Sequence, residues 1–202
     1  LDSYWIEPHA RGTGPALTWA AWRALEEDPD AVLVSLHSDH VVRPLEAFVQ
    51  GIRAASALAR RERVLVTVGV APDRPETGYG YLQPGASLDP VDGVATFRVS
   101  AFHEKPDRPT AEAYIAAGDT SWNCGIFTWR AERILEALAE HQPEIAAGLE
   151  TVGQAIGSDE YDESLKAAFE TIPAISIDHA VLEHSTDTCL LEAPFNWHDV
   201  GS

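Results

Sequence analysis

The chain has 202 residues, a formal net charge of −18, 45% hydrophobic residues, two cysteines and no methionine. That length suits one domain with a sizeable core, and that charge argues against a nucleic-acid backbone or an anionic membrane as partner, since both reward positive surface. Cys124 and Cys189 are too few and too isolated for a disulfide framework or a zinc site and point to a reducing cytoplasm, and no apolar run is long enough to span a bilayer.

The opening Leu1-Asp2-Ser3-Tyr4-Trp5 is strand-like, and Tyr4-Trp5-Ile6 reads as the end of a strand, followed by a loop over Glu7-Pro8-His9-Ala10-Arg11-Gly12. A helix is predicted over 14–27, with Pro15 in its first turn and Leu17, Ala20, Ala21, Ala24 and Leu25 at helical spacing. The apolar run 31–36 predicts a central parallel strand covered on both faces. Pro44 starts a second helix to about residue 60, and 63–70 reads as another buried strand. Helix, strand, helix, strand is the pattern of an open α/β sheet. Residues 72–81 form a loop leading into a short strand, 94–102 alternates like a longer one, 111–117 is a short helix and 122–129 a strand. Helices are predicted over 131–140, 143–156, 161–169 and 176–184, and a last strand over 189–192. No repeat, linker or low-complexity segment interrupts 1–202, so the chain reads as one partial domain. The absent methionine, the strand-like opening and the close on Gly201-Ser202 read as a segment cut at both ends.

A few short stretches carry chemistry. Asp39, in Leu36-His37-Ser38-Asp39-His40, follows a strand directly, and in open α/β sheets ligands bind at the carboxyl ends of strands. A carboxylate there can ligate a hard cation such as magnesium, or merely cap a turn. Asp199, in Trp197-His198-Asp199-Val200-Gly201, offers the same two readings, and no spacing rule links the two. In Phe102-His103-Glu104-Lys105-Pro106, the proline forces Lys105 toward extended geometry at a strand end. The lysine can place a point charge on a phosphate and Glu104 can accept from sugar hydroxyls; the alternative is a surface ion pair. Thr77-Gly78-Tyr79-Gly80-Tyr81 lets a ligand approach the Gly80 backbone, or simply turns. Asn123, in Trp122-Asn123-Cys124-Gly125, could read a hydroxyl or be a satisfied buried amide. His37 and His40 flank Asp39 without a third ligand at a telling spacing, so a zinc site is discounted. Ser-His-Asp hydrolysis lacks a nucleophile elbow.

Taken in order, these stretches resemble the mannose-1-phosphate guanylyltransferase (GDP-mannose pyrophosphorylase) family of sugar-nucleotide transferases. Its Glu-Pro-x-x-Arg-Asn-Thr-Ala-Pro-Ala appears as Glu7 to Ala16, and its Pro-(Ser/Ala)-Asp-His as His37 to His40. Thr-Gly-Tyr-Gly-Tyr stands intact at Thr77 to Tyr81, and Phe-x-Glu-Lys-Pro at Phe102 to Pro106. Trp-Asn-Ser-Gly-Met-Phe appears as Trp122 to Phe127, Ser-Ile-Asp-Tyr-Ala-x-x-Glu as Ser176 to Glu183, and Trp-x-Asp-Val-Gly-Ser as Trp197 to Ser202. The departures are Gly12, Gly14, His37, Cys124, Ile126 and His179; the first two are expected to loosen the nucleotide loop.

The resemblance implies an α/β, Rossmann-like open mixed sheet, mostly parallel, with helices on both faces (the nucleotide-diphospho-sugar transferase fold). It implies GTP and mannose 1-phosphate as substrates, magnesium on Asp39 and Asp199, and Lys105 on the sugar phosphate. Glu104, Asn123 and the Gly80 backbone would hold the sugar, and Glu7, Arg11 and Thr13 would face the nucleotide. The family's Gly-rich phosphate loop and β-rich C-terminal part lie outside the sequence, so this segment is not expected to catalyse alone. A same-fold pyrophosphorylase for another nucleotide or sugar, a non-catalytic nucleotide-sugar binding module and a homo-oligomer all stay open.

Overall fold

The apolar periodicities above become real elements in the computed structural model, which describes residues 4–201. In chain order they are α1 (Thr13–Glu27), β1 (Val32–Ser35), β2 (His40–Arg43), α2 (Leu45–Glu62), β3 (Leu65–Val70), β4 (Tyr81–Val91) and β5 (Val94–His103). There follow α3 (Arg108–Ala117), β6 (Ser121–Arg130), α4 (Ala131–His141), α5 (Pro143–Ala155), α6 (Tyr161–Thr171), a π-helical turn (Asp178–Leu182), β7 (Thr188–Glu192) and β8 (Asn196–Asp199). Six strands make one sheet in the order β1-β6-β3-β7-β5-β4, and β2 and β8 make a separate ribbon.

Helices cover both faces of this sheet, as expected, because each central strand is apolar on both sides. On β3, Leu65 joins a core with Trp19, Ile134, Leu138, Leu149 and Phe169 under α1, α4, α5 and α6. Val66 and Val68 join a second core with Leu58, Ala111, Trp122 and Leu191 under α2 and α3. On β6, Phe127 and Trp129 face the first core while Trp122, Cys124 and Ile126 face the second, the period-two alternation of a strand.

The expected parallel majority is corrected. Among the described residues only β3 and β7 pair in parallel; β1–β6, β3–β6, β4–β5, β4–β6 and β5–β7 are antiparallel. The apolar run over 31–36 yields β1, an edge strand of half-buried residues and not a central parallel one. Burial on both faces produces the same apolar run whatever the strand direction, so composition could not report it.

Three smaller expectations also change. Tyr4-Trp5-Ile6 lies outside any strand, with Tyr4 and Ile6 exposed; the expectation for Leu1-Asp2-Ser3 falls outside the described residues, as does Ser202. The helix expected over 176–184 is one π-helical turn. The β2–β8 ribbon has no counterpart among the expected strands. Both of its strands are four residues long and their partners lie over 150 positions apart, with register His40↔Asp199 through Arg43↔Asn196.

Candidate functional site

The ribbon answers the question that spacing left open, whether Asp39 and Asp199 meet. Asp39 sits in the turn between β1 and β2, and Asp199 closes β8. The Val200 amide donates to the Asp39 carbonyl at 3.0 Å and the Gly201 amide to Asp199 Oδ1 at 2.8 Å. Both carboxylates press on Gly201: a β-carbon there would collide with Asp39 Oδ2 and lie 3.3 Å from Asp199 Oδ1. Two carboxylates converging on a backbone with no side chain form an oxygen-rich niche, the donor set a hard divalent cation takes.

Two imidazoles flank this niche. Ligand atoms of His37, Asp39 and His40 lie within 4.8 Å of one another, so the two imidazoles that flank Asp39 in sequence also flank it in space. The two rings are 4.8 Å apart, and the His40 ring packs edge-on against Trp197 at 5.1 Å. Burial and the neighbouring His37 push the His40 pKa down against the opposing pull of Asp199 and Asp39. His37 also leans on Gly125, where a β-carbon would come within 2.9 Å of its Nε2.

Gly125 leads to the second group of expected residues. Its amide donates to Asn123 Oδ1 at 3.2 Å, and the buried Thr67 hydroxyl donates to the same oxygen at 2.8 Å. The Asn123 side-chain amine donates to Asp178 Oδ1 at 3.0 Å, and the Asn123 backbone amide donates to the Gly80 carbonyl at 2.8 Å. Gly80 leaves room for the Glu104 carboxylate: a β-carbon would fall 2.6 Å from Glu104 Oε2 and 3.3 Å from Asn123 Cβ, so the carboxylate would have to move. Glu104, with an 8% exposed side chain, pairs with the exposed Lys105 at 3.1 Å. The Glu104 amide donates to Glu183 Oε1 at 3.2 Å, and Glu183 Oε2 meets His179 Nδ1 at 2.8 Å. Gly80, Glu104, Lys105 and Asn123 thus share one cluster, joined to the niche through Gly125 and His37.

One detail differs from expectation, and at Asn123 one of the two open readings is seen. Lys105 is not extended but left-handed, at φ +48°. That conformation is costly for a side-chain-bearing residue before proline, and such strain persists where surroundings enforce it. Asn123 spends its side chain on Thr67, Gly125 and Asp178, so it serves first as a brace. Asp178 joins this cluster without having been singled out as a site residue from the sequence. It stands in a largely apolar turn beside the buried Ile177, Ala180, Val181 and Leu182, and a lone carboxylate in such company was the available signal. Burial, then the charge of Glu104, pushes its pKa up to about 6.

The residues expected to face the nucleotide lie at the start of α1. Glu7 Oε2 is buried without a hydrogen-bond partner, and burial raises this carboxyl's pKa. Arg11 is committed elsewhere: its Nε and Nη2 donate to the carbonyls of Phe169 at 2.6 Å and Glu170 at 2.7 Å, in the last turn of α6. Thr13 Oγ1 accepts from the Ile177 amide at 2.9 Å. Gly12 and Gly14 do not loosen this loop. A β-carbon on either would come within 2.6 or 3.0 Å of the Ile175 carbonyl oxygen, so their bareness permits the close seam with 175–177. A cavity of about 610 Å³ opens between Gly69, Tyr79, Trp122 and Trp197; of the expected site residues only Asp199 lines it.

The Nucleotidyl transferase family pattern matches residues 2–202. The chain is 40% identical over 198 residues to the xanthan biosynthesis protein XanB of Xanthomonas campestris pv. campestris strain B100, covering 98% of this chain and 41% of that one. It is 38% identical over 200 residues to the mannose-1-phosphate guanylyltransferase ManC of Salmonella typhimurium strain LT2, covering 98% and 42%. A solved structure named mannose-1-phosphate geranyltransferase, from Thermus thermophilus, superposes with a TM-score of 0.85 at 30% identity, covering 98% of this chain and 54% of that one. The chain therefore spans about two fifths of the length of these curated relatives.

Proposed function

The chain belongs to the nucleotidyl transferase family, and we propose that the full-length protein joins mannose 1-phosphate to GTP, giving GDP-mannose and pyrophosphate. The observation that carries this reading is the convergence of Asp39 and Asp199 on Gly201, next to the cluster of Glu104, Lys105 and Asn123. A phosphate oxygen of the sugar 1-phosphate attacks the α-phosphorus. The bond from that phosphorus to the bridging oxygen breaks, and pyrophosphate leaves with the electron pair. The nucleophile is already anionic, so no general base is needed, and catalysis is positioning and charge neutralisation.

Asp39 and Asp199 would hold magnesium, which supplies neutralisation of the α-phosphate when bound. The requirement is acute in a chain of net charge −18, where unscreened phosphates would be repelled. Lys105, the exposed cation of the sugar cluster, holds the sugar phosphate as a point charge. Glu104 accepts from ring hydroxyls across the bare Gly80 backbone. Glu7 is the candidate for base readout. Its unpartnered carboxylate oxygen suits the adjacent N–H donors on guanine's edge, a pair that uracil and thymine lack. Arg11 and Thr13 support this loop from behind, through α6 and Ile177.

Among the described residues no helix is long and apolar enough to cross a membrane. Both thiols are free and buried, with their pKa values pushed up by burial, which suits a cytoplasmic enzyme that does not use them as nucleophiles. The test is Asp39→Asn and Asp199→Asn in the full-length protein, assayed by pyrophosphate release over a panel of nucleotides and sugar 1-phosphates. Each substitution should lower turnover with GTP and mannose 1-phosphate by at least about a hundredfold. Near-normal rates in either variant would remove the cation role. Preference for another nucleotide would transfer the reading to a same-fold pyrophosphorylase.

A further inference from the structure

Asp178 is a mostly buried carboxylate whose acceptor sites are only partly used. Its carboxylate receives one side-chain hydrogen bond, from Asn123 to Oδ1 at 3.0 Å, and a bond from its own backbone amide; Lys105 acts on it through its charge, but among the described residues no cation lies in ion-pair contact with it. The Asn123 amide cannot turn round to serve it differently. The Gly125 N–H can only donate, so it fixes the Asn123 oxygen toward itself and Thr67 and the amine toward Asp178. Glu104 faces Asp178 from the end of β5 with its side chain only 8% exposed, and the one nearby cation, Lys105, is bound to Glu104 at 3.1 Å. Glu183 and His179, on Asp178's own turn, are occupied with each other at 2.8 Å. An ionised carboxylate has about four acceptor sites, so Asp178 keeps acceptor capacity beyond the bonds from Asn123 and its own amide. Leaving that capacity empty in a partly closed site is costly. Two carboxylates side by side, braced from behind by Asn123 and Lys105 and each with acceptor capacity left over, suit neutral hydroxyl donors rather than another anion.

We infer that Asp178 is a specificity-determining residue that accepts one ring hydroxyl of the sugar 1-phosphate while Glu104 accepts another. Asn123 is then the positioning residue that aims Asp178, rather than a reader of the sugar. The π-helical turn fits this role, since such turns recur where a backbone is reshaped to present a functional side chain. The inference rests on the proposed sugar 1-phosphate chemistry and assigns a second contact within it.

The test is Asp178→Asn in the full-length protein, with steady-state kinetics on GTP, mannose 1-phosphate and its mono-deoxy analogues, and a thermal unfolding scan. Asparagine keeps an oxygen for the Asn123 bond and removes a buried charge. The variant should unfold no earlier than the wild type. Its KM for mannose 1-phosphate should rise about tenfold, the loss of one hydrogen bond to a charged group, with kcat and the GTP KM within about twofold. One deoxy analogue should cost the wild type about tenfold in kcat/KM and cost the variant no further loss beyond about twofold. An unchanged sugar KM, equal losses for both substrates, the same deoxy penalty in both proteins, or failure of this variant to fold would each overturn the assignment. A wild-type protein that turns over no sugar 1-phosphate would instead refute the proposed reaction.

Discussion

A methyl group at position 80 would enter the tightest point of the sugar cluster. The β-carbon of Gly80→Ala falls 2.6 Å from Glu104 Oε2, with Phe102 Cζ at 3.1 Å and Asn123 Cβ at 3.3 Å on its other sides. The phenyl ring and the Asn123 backbone strand hold their places, so the carboxylate yields. Restoring ordinary contact moves it by roughly 0.8 Å. A shift of that size stretches a hydroxyl–carboxylate bond from about 2.7 Å past its useful range. A hydrogen bond to a charged group contributes about 1.5–3 kcal/mol, so the KM for mannose 1-phosphate should rise by roughly ten- to a hundredfold. Stability should fall by less than about 2 kcal/mol, because the displaced group is the far end of a side chain. Steady-state kinetics with each substrate varied in turn, beside denaturant unfolding, measures both. An unaltered sugar KM, or a GTP KM that climbs in step with it, would refute the placement of the sugar against Gly80.

The remaining expectations concern pH and the seam behind the nucleotide loop. Asp178 binds its proton more tightly folded than unfolded, with a pKa of about 6 against an ordinary 3.8, so its burial weakens the fold progressively as pH rises from about 4 to 6 and weakens it least in acid. The full effect is about 3 kcal/mol at most. The stability advantage of Asp178→Asn should therefore widen over that interval and then level off, in the presence of the same Glu104, Lys105, His179 and Glu183; urea unfolding at several pH values reads it, and a difference flat in pH would contradict the assignment. Gly12→Ala should lose about 2–4 kcal/mol, since φ +79° with ψ 177° is a region nearly reserved for glycine and the new carbon meets the Ile175 carbonyl at 2.6 Å. Gly118→Ala, at φ +70° with nothing within 4 Å, should lose only about 1 kcal/mol; equal losses at both glycines would show that crowding at Gly12 contributes nothing.

Elements with strong periodicity were legible: α1, α2, β3, β5, β6 and α4 to α6 lie within a few residues of their predicted spans. Strand direction was not, because Val66 and Val68 are buried whether the neighbour runs up or down. The β2–β8 ribbon escaped for a related reason. His40-Val41-Val42-Arg43 and Asn196-Trp197-His198-Asp199 are too short to show alternation, and only tertiary pairing makes them strands. The two aspartates were therefore readable as ligands in kind but not in place, since the ribbon is what unites them. Lys105 ran against a local rule, Pro106 favouring an extended predecessor, and the turn that seats Glu104 beside Gly80 overrode it. Asp178 was passed over because its meaning lies in Asn123 and Glu104, which approach it from β6 and β5.

The seam between residues 11–14 and 175–177 ties the loop that carries Glu7 to the turn that carries Asp178. The Ile175 amide donates to the Arg11 carbonyl at 3.0 Å, Gly14 returns a bond of 3.0 Å to the Ile175 carbonyl, and Thr13 receives the Ile177 amide at 2.9 Å. One residue beyond this stitching stands Asp178, and a few residues before it stands Glu7. On the proposed reaction, a substitution that loosens this stitching would disturb the loop carrying Glu7 and the turn carrying Asp178 together.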